Sequence, residues 1–332
     1  MSAPLQNIAI VRASGQVGSF ITKALISQGK HTVTAITRGH KPTPTPRNSS
    51  AQMPAGLHAI KEVDYDSHPS LVTAMQGQDL LIITMNVLAP RDSQTKLIDA
   101  AIEAGIKWIM PNQYGGYYAD DDSGPGKDDM LRDITVATRR YIEAKGASWI
   151  GVACGFWYEF SLSGGEIRYG FDFEKKSLTL FDEGTVKHTC STWPLVGRAV
   201  AKLLALPVSG GSPCLEEWRN RQVVFSSFAV SQRDMLASVL RVTGDEEGEW
   251  RITREGSRER FERGQEMFKG GEIAGFGMLL YARVFFPDGD GDLTGLRENG
   301  RLGLLGEEED LDEATRVAVG YVESGKAKEW SF

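Results

Sequence analysis

The first thirty residues contain the pattern that most restricts the fold: an apolar strand, a glycine-containing turn and an amphipathic helix. Asn7–Val11 (NIAIV) predicts a buried strand, and residues 16–28 place apolar side chains at helical spacing before Gly29, which suits a helix C-terminus. In the intervening segment VRASGQVG, Gly15 would let a phosphate approach the backbone, and Gly18 would let the helix pack close to the strand. This arrangement predicts a dinucleotide-binding site.

The alternation of strands and helices continues to about residue 155. The further predicted strands are Thr32–Thr37, Leu57–Lys61, Asp79–Thr84, Ile106–Met110 and Ser148–Cys154, and the helices lie near His68–Met75, Asp92–Ala104 and Asp128–Ala144. Strands that alternate with helices indicate a parallel sheet covered on both faces. We therefore predict an α/β fold with a Rossmann-type, doubly wound parallel sheet over residues 1–155.

The pattern becomes mixed beyond residue 155, where we predict a smaller α+β region over residues 156–332. Residues 186–226 of this region are expected to return to the sheet. Ser177–Phe181 and Val186–Cys190 flank a turn-forming Asp-Glu-Gly segment and together predict a β-hairpin. The predicted later elements are a strand at Gln222–Ser226 and helices at Trp193–Leu206, Ser231–Val242, Ser257–Lys269, Glu272–Phe286 and Leu311–Glu323.

Charge and composition exclude several classes of partner. The 332 residues carry a net charge of −7, which argues against a general nucleic-acid or anionic-membrane surface. No apolar run approaches the roughly 18 residues of a membrane span, and three cysteines without a CxxC motif fit a reducing compartment. The five histidines show no spacing typical of metal ligands. We therefore expect a cytoplasmic monomer or homodimer without a metal.

Two positions bear on the choice of cofactor. Arg12 stands where the nucleotide fingerprint normally opens with glycine, so it must either tolerate that backbone conformation or direct its guanidinium at a phosphate. After the second strand, Arg38 and Lys41 occupy the place of the acidic residue that binds the ribose of NAD. Their charge suits a 2′-phosphate, so the sequence favours NADP(H). The predicted cofactor-binding residues are Arg12, Ser14, Gly15, Gln16, Val17, Gly18, Arg38, Lys41, Thr84, Asn86 and Gln113.

Four further segments, together with the turn, resemble one family. They are TRGHK at 37–41, PNQYG at 111–115, CGFWY at 154–158 and TWPLVGRAVA at 192–201. The chain resembles the NmrA-like and isoflavone-reductase-like branch of the atypical short-chain dehydrogenases, and is similar to its fungal secondary-metabolism members. The resemblance implies NADPH bound over the strand ends and a small-molecule substrate held against the C-terminal region.

The chain departs from the plant reductases of this family at one catalytic position. Those enzymes carry a lysine at the start of the helix that ends in an Arg-Arg-x-Ile-Glu-Ala motif. Here that helix reads ITVATRRYIEA over residues 134–144 and has no lysine in the matching turn. Lys127 is the nearest alternative, whereas Tyr114 is our first candidate for the proton donor.

The loops expected at the carboxyl ends of the strands are unusually aromatic. Loops at this edge line the ligand crevice of doubly wound sheets, and aromatic walls accept flat apolar or cationic molecules. We therefore predict a hydrophobic substrate. The predicted substrate-binding residues are Asn112, Tyr114, Tyr117, Phe156, Trp157 and Tyr158.

Three functions remain open from the sequence. The first is an NADPH-dependent reductase of a hydrophobic, conjugated or iminium-type substrate, such as an alkaloid or another aromatic metabolite, because reducing an iminium cation requires no proton donor. The second is a cofactor-assisted cyclase or isomerase of the Diels–Alder type, which needs mainly shape and orientation. The third, implied by the resemblance, is a non-catalytic NADP-sensing regulator.

Overall fold

The structure is a computed structural model that describes residues 2–39, 52–86, 89–120, 126 and 128–330. The described strands are β1 (Asn7–Val11), β2 (Thr32–Arg38), β3 (Ala59–Val63), β4 (Leu80–Ile83), β5 (Trp108–Met110), β6 (Tyr114–Gly115), β7 (Ser148–Ala153), β8 (Phe156–Trp157), β9 (Phe171–Asp172), β10 (Ser177–Phe181), β11 (His188–Ser191), β12 (Arg221–Val224), β13 (Phe228–Val230) and β14 (Arg251–Glu255). The described α-helices are α1 (Gln16–Gln28), α2 (His68–Met75), α3 (Arg91–Glu103), α4 (Arg132–Ala144), α5 (Tyr158–Leu162), α6 (Trp193–Leu204), α7 (Gln232–Thr243), α8 (Ser257–Lys269), α9 (Ile273–Arg283) and α10 (Leu311–Glu323).

The central sheet has seven parallel strands in the order β12-β7-β5-β4-β1-β2-β3, with the short β6 beside β7. This order confirms the predicted doubly wound α/β fold. The chain moves outward from β1 to β2 and β3, then crosses to β4 on the other side of β1. The strand order therefore reverses between β1 and β4, where sheets of this type bind ligands at the carboxyl ends of their strands.

Helices cover both faces of the sheet, and residues of β1 alternate between the two cores. Ile8 and Ile10 face the core that includes residues of α1 and α6, whereas Ala9 and Val11 face the core that includes residues of α2, α3 and α4. Gly197 allows α6 to approach α1, since a Cβ there would lie 2.5 Å from the backbone oxygen of Phe20. Within the described ranges, no helix has the length and apolar character required to cross a membrane.

The predicted β-hairpin between Ser177–Phe181 and Val186–Cys190 is wrong. Strand β10 pairs in parallel with β14 and antiparallel with β9, while β11 pairs with β13 and β8 in another sheet. The turn is present, because Gly184 donates its N–H to the oxygen of Phe181 at 2.9 Å. However, Asp182 donates its N–H to the oxygen of the distant Glu255 at 2.8 Å, which extends the β10–β14 pairing instead. Long-range pairing therefore overrides the local turn signal.

Only part of the 186–226 segment lies in the central sheet. Strand β12 pairs in parallel with β7 at the edge of that sheet, and α6 packs against α1 on its face. Strand β11, by contrast, lies in the separate three-stranded sheet with β8 and β13. The two small sheets and helices α7 to α10 are the mixed α+β material that follows β7.

Candidate functional site

The turn after β1 retains the shape of a nucleotide fingerprint although it begins with arginine. Arg12 has a φ of 58°, in the left-handed region that favours glycine. Its oxygen accepts the N–H of Gly15 at 2.8 Å, and its own N–H donates to the oxygen of Ile36 at 3.3 Å. The surrounding bonds thus hold Arg12 in a backbone conformation that costs on the order of 1 kcal/mol. Arg12 therefore tolerates the left-handed backbone conformation of this position, which leaves its guanidinium group available to a phosphate.

Gly18 is required by the close contact between the start of α1 and the ends of β1 and β4. A Cβ on Gly18 would lie 2.3 Å from the oxygen of Arg12 and 2.5 Å from Oγ1 of Thr84. Thr84 is buried, and its hydroxyl donates to the oxygen of Val11 at 2.7 Å. The structure therefore places Thr84, a predicted cofactor residue, in a bond that fixes β4 to β1 beneath the turn.

The N-terminus of α1 fits a pyrophosphate. Its N-cap residue is Gly15, no side chain caps it, and its first turn contains no acidic residue. The first N–H groups of a helix have no partner within the helix, and they carry a partial positive charge that favours an anion. Ser14 and Gln16 are half-buried here, while Val17 packs into the core below and anchors the helix.

Arg38 lies at the end of β2, with its guanidinium carbon 4.8 Å from the ring centre of Tyr65. Burial raises the pKa of Tyr65, while the charges of Arg38 and Arg12 oppose this effect, so both guanidinium groups lie near that ring. Among the residues that the structure describes, no carboxylate forms an ion pair with Arg12 or Arg38. The result is a cationic surface beside the phosphate-binding turn, suited to a 2′-phosphate and an adenine ring. Lys41 lies outside the described residues.

Sequence reasoning missed Tyr65, although a signal for it was available. Tyr65 follows β3 by two residues, and the carboxyl end of β3 lies beside the end of β2. An aromatic residue directly after a strand at this edge is placed to line a ligand crevice.

The loop after β5 is tied to the loop after β4 through Asn112. Its Oδ1 accepts the N–H of Met85 at 2.8 Å, and its own N–H donates to Oε1 of Gln94 at 2.7 Å. Asn86 is the residue after Met85 and is exposed at the same carboxyl edge of the central sheet. The structure therefore brings Asn86 and Asn112, predicted as cofactor and substrate residues, to neighbouring strand ends.

Gln113 supports this loop from below. It is 4% exposed, its Oε1 accepts from Nε of Arg139 at 3.1 Å, and its Nε2 donates to Oε1 of Gln222 at 2.7 Å. Arg139 is also buried, stacks on Trp149 at 4.7 Å and donates to the oxygen of Tyr118 at 2.9 Å. Both polar ends of the Gln113 side chain are thus engaged within the protein.

Arg139 holds this loop, a role that was not predicted from the sequence. A signal was present, since Arg139 lies three residues from both Val136 and Ile142 on the buried face of α4. A charged residue on an apolar helix face requires buried partners. Here those partners are the loop that carries Asn112 and Tyr114.

The hydroxyl of Tyr114 is buried and has no hydrogen-bond partner among the described residues. Burial raises the pKa of this hydroxyl well above its usual value of 10, so the phenol is protonated at physiological pH. Burial likewise raises the pKa of the nearby Cys154 thiol to about 12, which leaves it unreactive as a nucleophile. A buried hydroxyl without a partner is a position where a bound molecule can supply one.

We expect Tyr114→Phe to raise the free energy of unfolding of the ligand-free protein by about 1 kcal/mol, because it removes a buried hydroxyl that lacks a partner. The matched control is Tyr158→Phe, whose buried hydroxyl bonds Oγ1 of Thr315 at 2.7 Å. That change should lower the same quantity by about 1 kcal/mol. Urea denaturation measures the free energy of unfolding of both variants. If both substitutions changed it in the same direction, the description of the Tyr114 hydroxyl as a buried group without a partner would be wrong.

The aromatic segment after β7 does not form one continuous wall. Phe156 stacks on Tyr281 with 4.2 Å between ring centres, whereas Trp157 packs on Trp193 at 6.0 Å. Phe156 and Trp157 form strand β8, in which successive side chains point to opposite faces. Tyr158 is fully buried in the core of the C-terminal region.

Two predicted site residues remain: Tyr117, a predicted substrate-binding residue after β6, and Lys127, a candidate for the catalytic lysine. Tyr117 packs on Ala153, Val224 and Leu293, apart from the segment 156–158. Lys127 lies outside the described residues, and helix α4 contains no lysine. In the described ranges, no group of three or more His, Cys, Asp or Glu residues could hold a metal ion.

Comparison with known proteins agrees with this geometry. The model of the NmrA-like family matches residues 4–163, the part of the chain that builds the turn and the strand ends. Residues 4–163 of the chain are therefore similar to the NmrA-like family, as the resemblance in the sequence predicted.

Two fungal proteins are similar to the chain over most of its length. It is 26% identical over 279 residues to the oxidoreductase aprR of Aspergillus flavus, covering 82% of this chain and 85% of that protein. It is 28% identical over 291 residues to the oxidoreductase poxI of Penicillium oxalicum, covering 84% of this chain and 82% of that protein. A solved structure described as AtPrR2 with NADP+ and (+)pinoresinol shares the fold, with a TM-score of 0.68 and 18% identity. The similarity covers 96% of this chain and 100% of that chain.

Proposed function

We propose that this protein is an NADPH-dependent reductase that transfers hydride to a hydrophobic, conjugated or cationic small molecule. The observation that carries the proposal is the uncapped N-terminus of α1, with Arg38 stacked on Tyr65 at the neighbouring strand end. The relatives aprR and poxI are named oxidoreductases, and AtPrR2 is described with NADP+, which supports both the reaction class and the cofactor.

Each part of the crevice suits a different part of NADPH. The first N–H groups of α1 would hold the pyrophosphate, and Arg38 would hold the 2′-phosphate while Tyr65 lines the adenine side. Asn86, Asn112 and Tyr114 lie towards the other end of the crevice, after β4 and β5. When bound there, NADPH supplies the hydride.

The protonation state of Tyr114 supports an electrophilic substrate. A general acid works best when its pKa lies near the operating pH, and burial moves the pKa of Tyr114 away from that range. Helix α4 supplies no lysine in its place. Reducing a ketone creates an alkoxide that needs a proton, whereas reducing an iminium cation gives a neutral amine. The site therefore suits acceptors whose own charge or conjugation makes them reactive.

Arg38→Ala tests the cofactor assignment. We expect the variant to bind NADPH about 10- to 100-fold more weakly, because it loses a charge-assisted bond to the 2′-phosphate, and to bind NADH almost unchanged. Titration of the purified protein by isothermal calorimetry measures both affinities.

The matched control for Arg38→Ala is Arg140→Ala, an exposed arginine of α4 that donates to the oxygen of Asp120 at 3.0 Å. This variant should bind both nucleotides like the wild-type protein. Equal losses of NADPH and NADH affinity in Arg38→Ala would remove the role assigned to Arg38.

A further inference from the structure

The side chain of Arg12 lies over the phosphate-binding turn. Its Cβ and Nε would be 3.6 Å and 3.7 Å from a Cβ placed on Gly15, the N-cap residue of α1. The side chain is exposed, and its charge also reaches Tyr65. The side chain of Arg12 therefore lies beside the N-terminus of α1, and its charge acts on the ring that Arg38 stacks on.

This arrangement combines two unfavourable features in the absence of an anion. Arg12 has a left-handed φ of 58°, a conformation in which glycine carries no steric cost. Its positive charge also lies beside the positive end of the α1 dipole and near the charge of Arg38, with no carboxylate pairing with it in the described ranges. An anion between Arg12 and the N-terminus of α1 would neutralise these positive charges, and a phosphate contact made by the side chain would explain why arginine rather than glycine stands at this strained position.

We infer that Arg12 is a ligand of the cofactor pyrophosphate and holds it from the side opposite the α1 N–H groups. This inference rests on the proposed function, and it assigns different phosphates to the two arginines. Arg38 stacks on Tyr65 at the end of β2 and binds the phosphate that only NADPH has. Arg12 lies over Gly15 and binds the pyrophosphate that NADPH and NADH share.

The test compares Arg12→Gly with Arg38→Ala in calorimetric titrations of the full chain with NADPH and with NADH. Glycine fits the left-handed position without strain, so Arg12→Gly should fold with an unchanged or higher Tm. We expect it to lose about 10- to 100-fold in affinity for both nucleotides by the same factor. Arg12→Lys, which keeps the charge but not the planar fork, should recover part of that loss for both.

Three results would overturn the inference. Unchanged or tighter binding by Arg12→Gly would mean that the guanidinium group is not a phosphate ligand. A loss confined to NADPH would assign Arg12 to the 2′-phosphate instead. If the wild-type protein bound neither nucleotide, the proposed function itself would fail, which separates that failure from an error about Arg12.

Discussion

Gly18→Ala is expected to lower the free energy of unfolding by about 3 kcal/mol and to abolish measurable NADPH binding. The added methyl group would lie 2.3 Å from the oxygen of Arg12, and this backbone atom cannot move without changing the turn. It would also meet Oγ1 of Thr84 at 2.5 Å, where the hydroxyl fixes β4 to β1. The start of α1 must shift, which misplaces its N–H groups. Urea denaturation and an NADPH titration measure the two effects.

Gly320→Ala provides the matched control for this change. Gly320 also lies inside a helix, α10, but a Cβ there meets nothing within 4 Å outside the helix backbone. The same substitution should therefore raise the free energy of unfolding by up to about 1 kcal/mol, through helix propensity alone, and leave NADPH binding unchanged. Similar behaviour of the two variants would show that Gly18 is not sterically required.

Glu159→Gln is expected to stabilise the protein at alkaline pH. Glu159 lies in the first turn of α5, is 3% exposed, and its Oε2 has no hydrogen-bond partner among the described residues. Burial raises the pKa of its carboxyl group to about 8, and the nearby charge of Glu309 adds to this shift. Ionising Glu159 in the folded protein is therefore unfavourable, and glutamine removes that cost while keeping the size of the side chain.

The sign of the pH dependence follows from the raised pKa. Between the ordinary pKa of 4.5 and about 8, the folded state binds more protons than the unfolded state, so wild-type stability falls as pH rises. This loss is nearly complete one pH unit above the raised pKa and corresponds to about 5 kcal/mol at most. At pH 5 we expect the free energy of unfolding of Glu159→Gln to lie within about 1 kcal/mol of the wild-type value. At pH 9 we expect it to be higher than the wild-type value by roughly several kcal/mol.

Urea denaturation at pH 5, 7 and 9 measures this pH dependence. Glu323→Gln makes the same chemical change at an exposed position of α10 and serves as the control. It should alter stability by less than about 0.5 kcal/mol at every pH. A stability difference between Glu159→Gln and wild-type that does not grow with pH would contradict the burial of an ionisable Glu159.

Elements with strong local signals were predictable from the sequence. Helices α1, α2, α8 and α10 have the predicted bounds, because their periodicity and end residues are encoded within a few neighbouring positions. The same locality made the strand–turn–helix around Gly15 and Gly18 recognisable. The doubly wound parallel sheet followed from the alternation of strands and helices, and the structure confirms it.

Features that depend on distant segments were not predictable in the same way. The β10–β14 pairing joins segments about seventy residues apart, and β14 reads RITRE, a charged sequence with a weak strand signal. Phe156 and Trp157 were both predicted to bind the substrate, but the short β8 strand directs their side chains to opposite faces. Arg139 depends on Gln113 and Tyr118, whose positions are set by the packing of β5, β6 and β7.

The crystal structure of this protein with NADP+ is the most direct test of the central claim. We expect the pyrophosphate to bind at Gly15 and the first N–H groups of α1, with the 2′-phosphate bonded to Arg38 and the nicotinamide near Asn112 and Tyr114. A nucleotide bound elsewhere, or a crevice between β1 and β4 that stays empty at saturating NADP+, would contradict the assignment of this strand edge as the site of an NADPH-dependent reductase.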